Sequence, residues 1–350
     1  MNLQAFLQAI PKMELHCHLY GAVRKETFAR LAARRMAPLS PAQIDEYYRR
    51  PRKPWPTNNV LRALDEHLIK EADDLHQISL EYLEDAAAHG VRYTEFFWNP
   101  TATVQSGIPY PLAQGAVVRA IRDGEAQWGV RGRLIPAIDR ERGASAASEM
   151  VQWVIRWREP EVLGIGIDFN EADHPPELFA DAYRDARRAG LRVTAHAGEN
   201  GVPWKNIETA MDVLGAERID HGYTVVDSPE LARRCAERGI VFTVVPTNSF
   251  YLRTLPDERW ALDHPIRKMP ALGLRVHPNT DNPTLHKVTP TRAWTMMVED
   301  FAFGLDDVRG FMQNGLDAAW IDEGQRATWR KEWMQEFDAL RVQLDSAQAT

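Results

Sequence analysis

The sequence predicts an α/β fold, a (β/α)8 barrel with a helical insertion after the first strand and further helices at the C-terminal end. Three observations predict it. Short, nearly continuous apolar runs recur along the chain, segments with helical spacing separate them, and polar residues able to do chemistry follow the runs.

Eight runs read as strands: 13–19, 91–98, 134–138, 162–169, 191–195, 218–220, 240–245 and 274–277. Unbroken apolar runs of this length suit parallel strands covered on both faces by crossover helices. Between strands, residues 178–189 repeat apolar side chains every three or four positions, and Gly190 follows as a stop. Residues 229–238 behave alike and stop at Gly239; Ser228 is placed to cap them, and Pro229 stands at the first helical position, where its missing N–H costs nothing. A helical excursion over 58–90 separates the first two strands, and insertions of this kind sit over a barrel mouth as lids. The stretch around Pro51, Pro54 and Pro56 reads as a loop. Residues 289–344 read as helices that complete the outer ring. A doubly wound open sheet is the competing architecture, but no G-x-G-x-x-G follows the first strand.

Composition fits a single enzyme-sized domain. The chain has 350 residues, 44% apolar and 26% charged, with no repeat, low-complexity tract or flexible linker. A net charge of -7 argues against a nucleic-acid partner, which would favour a basic face, and leaves a small substrate open. The two cysteines, Cys17 and Cys235, form no disulfide framework and no C-x-x-C, so a reducing cytoplasm is expected. Residues 1–12 lack the pattern of a signal peptide, and no apolar run approaches the roughly 20 residues needed to span a membrane.

Five polar clusters fall at the ends of candidate strands: His16-Cys17-His18, His196-Ala197-Gly198-Glu199, Asp220-His221-Gly222, Pro246-Thr247-Asn248-Ser249 and Thr280-Asp281-Asn282-Pro283. In a barrel these ends converge on one mouth. Side chains alternate along a strand, so His16 and His18 can face the axis together, with Cys17 between them turned into the packing. An H-x-H pair alone is weak and equally describes two hydrogen-bonded histidines near a turn. His196 adds a third nitrogen and Asp281 a carboxylate oxygen, a donor set that suits one zinc ion with a position open for water. The bland readings are a surface glutamate for Glu199 and, for His221, a core histidine paired with Asp220.

On these residues the chain resembles the adenosine deaminase family of the amidohydrolase superfamily. The resemblance rests on the segment from Lys12 to Ala22, on His196-Ala197-Gly198-Glu199, on Arg218-Ile219-Asp220-His221-Gly222 and on Asn279-Thr280-Asp281-Asn282-Pro283, and it covers nearly the whole chain in order. It implies a (β/α)8 barrel, one zinc ion and hydrolytic deamination of a small, purine-like aminated heterocycle. It implies His16, His18, His196 and Asp281 as zinc ligands, Glu199 as proton donor to the ring, and His221 as the residue beside the attacking water, with Asp281 also in hydrogen-bond reach of it. Tyr20, Glu171, Asn282 and Gly198 fall at substrate-binding positions. Two-metal relatives carry a bridging lysine on the fourth strand; none stands in 162–169, so one metal is expected.

Three positions depart from the adenosine pattern. Tyr20 stands where an acidic residue holds ribose, Asn170-Glu171 where an Ala-Gly offers an amide to the purine, and Asn282 where a second aspartate contacts the imidazole part of the ring. The metal set is untouched, so the expected substrate is a free base or modified purine rather than plain adenosine. The competing expectations are zinc-dependent hydrolysis of another bond, such as a cyclic amide or a substituted amine, and a non-catalytic nucleoside binder.

Overall fold

A computed structural model describes residues 1–55 and 57–348, so Pro56 of the expected Pro-rich loop lies outside the described residues. Eight parallel strands form one sheet in sequential order: β1 Lys12–Glu14, β2 Val91–Trp98, β3 Arg131–Asp139, β4 Gly164–Asp168, β5 Arg192–Ala197, β6 Arg218–His221, β7 Val241–Val244 and β8 Arg275–Pro278. The sheet curls into a TIM barrel. Closure between first and last strands is made beyond their regular ends: the His18 amide donates to the Asp281 carbonyl at 2.7 Å, and the Asp281 amide to the His16 carbonyl at 2.9 Å.

Every expected strand is present; β2 spans the expected residues, and the others have shifted ends. The largest difference is β1, which ends at Glu14 rather than residue 19. The Leu15 amide leaves the ladder to donate to the Asn279 side-chain oxygen at 2.8 Å, which bends the chain before the histidines. Single bridges from Cys17 to Asp281 and from His18 to Phe97 then hold residues 17 and 18 in the wall.

The helices follow their local chemistry. Pro229–Glu237 begins with the Ser228 hydroxyl accepting from the Leu231 amide, with Pro229 in the first turn. The stretch 178–189 divides into a tight turn, Pro176–Phe179, and the helix Ala180–Arg188. The excursion between β1 and β2 starts earlier than residue 58: Lys25–Arg34 and Pro41–Tyr47 precede Asn58–Ala63, a single π-helical turn Leu64–Leu68, and Ala72–Ala88. Pro290–Glu299, Leu305–Ala318 and Glu323–Gln348 complete the C-terminal part.

Inside the barrel, Phe97, Ile135 and Ala137 are fully buried against Trp320. At the N-terminal end, Arg218 pairs with Glu95 at 2.5 Å and lies 4.3 Å from the Trp320 ring centre, so a buried ion pair plugs the end opposite the polar clusters. Among the described residues, no helix is long and apolar enough to cross a membrane.

Candidate active site

The C-terminal strand ends enclose a cavity of about 350 Å³. Strand ends are where the backbone leaves regular geometry, and three non-glycine residues there have left-handed φ: Phe169 at 69°, His221 at 68° and Asp281 at 62°. Such conformations cost on the order of 1–3 kcal/mol each and persist where surrounding contacts over-determine them. Gly222, at φ 73°, has no substitute on steric grounds, because a Cβ there would lie 2.2 Å from the Phe242 ring.

His16, His18 and His196 each present a side-chain nitrogen within 4.8 Å of the others, and His16, His221 and Asp281 do the same. His18 Nε2 and His196 Nε2 are 3.0 Å apart. Asp281 Oδ1 lies 3.4 Å from His18 Nε2 and 3.7 Å from His16 Nε2. The outer nitrogens are anchored: His16 Nδ1 to the Thr243 carbonyl at 3.0 Å, His18 Nδ1 beside Asp168 at 3.3 Å, and His196 Nδ1 beside Asp220 at 3.3 Å. The hydrogen bond at His16 Nδ1, and the carboxylates near the other two Nδ1 atoms, favour the tautomer that turns the Nε2 lone pair inward, the arrangement of metal-bound histidines. His16 Nε2 is buried and has no hydrogen-bond partner among the described residues, a costly position that a cation would relieve. Burial, with a contribution from His16, pushes His196 down to about 3, and burial also lowers His16, so both imidazoles are neutral and able to ligate. These four residues fit a zinc ion.

Asp220 therefore faces His196 rather than His221. Its oxygens also accept from Thr194 Oγ1 at 3.0 Å and Thr243 Oγ1 at 2.7 Å. Burial disfavours its charge, but His196 and the other partners outweigh that and hold its carboxyl below the usual range. His221 Nδ1 instead meets the Tyr223 hydroxyl at 3.3 Å, and its Nε2 lies 3.7 Å from Glu199 Oε1. Burial, then the neighbouring imidazoles, keep His221 far below its ordinary value and hence neutral. Glu199 is pushed up to about 8, chiefly by burial and then by the charges of Asp281 and Glu171. It therefore carries its proton at neutral pH and faces the cavity. Asn248 Nδ2 donates to Glu199 Oε1 at 3.2 Å.

Tyr20 and Asn282 line the cavity, as expected of substrate-contacting residues. Glu171 and Gly198 are not among its lining residues. Glu171 is buried, and its oxygens accept from the Gly198 amide at 2.9 Å and the Glu199 amide at 3.3 Å. It steadies the loop that carries Glu199, and the Gly198 amide is already committed to it.

Several contributors escaped the sequence reading. Buried Arg140 donates to the Asp168 carbonyl at 2.9 Å and the His196 carbonyl at 2.7 Å, tying the ends of β4 and β5 together. Asp168 is held by Asn99 Nδ2 at 2.7 Å. His286, a further histidine in the cavity wall, lies 3.9 Å from Asp281 and 3.3 Å from the Thr247 hydroxyl. From the insertion, Arg62 reaches Asp139 and Glu141 at 2.6 Å each and lies 4.3 Å from the Phe169 ring centre, latching the insertion to the rim.

Known proteins resemble this chain along nearly its whole length. The family model described as adenosine deaminase matches residues 11–335. An adenine deaminase of Vibrio parahaemolyticus is 29% identical over 94% of this chain and 96% of its own length. Among solved structures, a zinc-bound amidohydrolase of Burkholderia ambifaria is 58% identical, covers 98% of this chain and 94% of its own, and superposes with a TM-score of 0.97. An adenine deaminase of Arthrobacter aurescens is 28% identical, with 93% and 99% coverage and a TM-score of 0.85.

Proposed function

The chain belongs to the adenosine deaminase family, and on that premise we propose that it is a zinc-dependent aminohydrolase that converts an adenine-type purine to its 6-oxo product and ammonia. The observation that carries the reading is one cavity wall with three inward imidazoles, the Asp281 carboxylate, a protonated Glu199 and a neutral His221.

His16, His18, His196 and Asp281 would hold the metal. Bound zinc supplies Lewis acidity that makes a water nucleophilic near neutral pH. Glu199 gives its proton to the ring nitrogen beside the reacting carbon, which draws electrons from that carbon as the water oxygen adds to it. His221, neutral and 3.7 Å from Glu199, takes one proton of the water and delivers it to the departing amine. The second water proton restores Glu199, so atoms and charges balance: water and an amino group become a carbonyl and ammonia. Glu171 and Asn248 hold Glu199 in line.

Tyr20 in place of a ribose-holding acid favours a free base or modified purine over adenosine. A complete set of acid, base and ligands argues against a non-catalytic binder. The acidic chain and its small cavity suit a small-molecule partner rather than nucleic acid, and two free, buried cysteines suit the cytoplasm. Ammonia release by the zinc-loaded protein from adenine, adenosine and N6-substituted adenines tests the reading. A kcat/KM for adenine or a substituted base above that for adenosine is expected. No ammonia from any aminated ring would overturn it.

A further inference from the structure

The insertion places an acidic side chain in the cavity that the proposed chemistry does not use. Asp65 lies in the π-helical turn Leu64–Leu68, one turn beyond Arg62. A π turn widens the helix and re-aims its side chains, and such turns recur at functional sites. Asp65 lines the cavity and is only 5% exposed, yet its Oδ1 has no hydrogen-bond partner among the described residues. Its nearest cation is distant for an ion pair: Arg62 Nη1 is 4.0 Å from Oδ2 and is engaged with Asp139 at 2.6 Å. The Tyr20 hydroxyl is beside the carboxyl, and also 3.1 Å from Thr103 Oγ1. Burial pushes the Asp65 carboxyl up to about 7, against the lowering effect of Arg142 and Arg62. A carboxylate in this position is under-satisfied, and a donor arriving with the ligand would remove the cost.

We propose that Asp65 is a specificity-determining residue that accepts a hydrogen bond from an N–H or O–H of the substrate at the edge remote from the amine being lost. The assignment presupposes the deaminase reading above and extends it to recognition. Tyr20 sets the place: it is two residues beyond His18, so the side of the cavity that Tyr20 and Asp65 share borders the metal-binding cluster without belonging to it. Two donors could reach it. A free purine base offers an imidazole N–H, and a nucleoside offers sugar hydroxyls instead. Arg62 holds the insertion on the rim, so Asp65 is presented by a fixed element.

The test is calorimetric titration of zinc-loaded Glu199→Gln protein, which binds without rapid turnover, with adenine, 9-methyladenine and adenosine. The same protein carrying Asp65→Ala or Asp65→Asn is titrated in parallel. Asp65→Ala is expected to weaken adenine at least tenfold and to leave 9-methyladenine, which lacks the imidazole N–H, within twofold. Asp65→Asn, which keeps a carbonyl acceptor, is expected to recover part of the loss. A tenfold loss confined to adenosine would place the donor on the sugar and also support the assignment. Unchanged binding of all three ligands, or an equal loss for all three, would overturn it. Ammonia release by the parent protein, measured alongside, separates the two readings: if it persists while the Asp65 contrast fails, only the assignment of Asp65 falls.

Discussion

At the residue scale, the site works by placing groups of ordinary chemistry where burial changes them. Glu199 is an acid at neutral pH because burial and the nearby Asp281 and Glu171 charges raise it to about 8. The proton to be donated is present below that value and absent above it, so kcat/KM should fall as pH rises through about 8. Glu199→Gln keeps the shape but supplies no carboxyl proton. A loss of roughly 10²–10⁴ in kcat with zinc content unchanged is expected, checked by steady-state assay and metal analysis; near-parental activity would remove Glu199 from the acid role. Glu171 acts at one remove. Glu171→Ala strands the Gly198 and Glu199 amides, at a cost of about 1–3 kcal/mol for each unsatisfied group. Thermal unfolding should show the lost stability. Kinetics should show kcat falling more than KM rises, since the altered loop carries the acid rather than a substrate contact.

At the scale of elements, the sequence made the strands and the residues at their ends legible for one reason. A buried parallel strand must be apolar, so a histidine or aspartate that closes such a run stands out, as His16, His18, His196, His221 and Asp281 do. Glu199 was legible by the motif it ends. What lay hidden depends on contacts between distant segments. Asp168 closes β4 as visibly as any of them, but its role is set by His18 and Asn99, from other elements. Arg140 looks like a surface arginine until its guanidinium is seen spanning two strand ends. Glu171 was placed by its position after β4 in the family pattern, which cannot show that its carboxylate turns to the Gly198 and Glu199 amides. Asp65 could not be seen because the insertion's local pattern is plain helix and its π turn emerges only in the packed structure. The insertion also yields a prediction. Arg62→Ala frees it from Asp139, Glu141 and Phe169, so KM should rise several-fold with little change in kcat, and proteolysis within residues 50–70 should accelerate. Unchanged KM and protease resistance would show that the latch is not what holds the insertion closed.

At the scale of the whole molecule, the barrel divides its tasks between its ends. One end is plugged by the buried Glu95–Arg218 pair under Trp320, while the other carries left-handed backbone, an orphaned imidazole nitrogen and carboxyls with raised affinity for protons. Unpaired polar groups that converge on one cavity mark where a cation and a substrate complete the fold. The central claim is that one zinc ion, held by three imidazoles and one carboxylate, is required for the chemistry. It is tested most directly by stripping the protein with a chelator and adding zinc back stepwise while ammonia release from a turned-over purine is followed. Activity should vanish on stripping and return in proportion to added zinc, reaching its plateau at one ion per chain. Full activity without metal, or a plateau that requires two ions, would contradict the account.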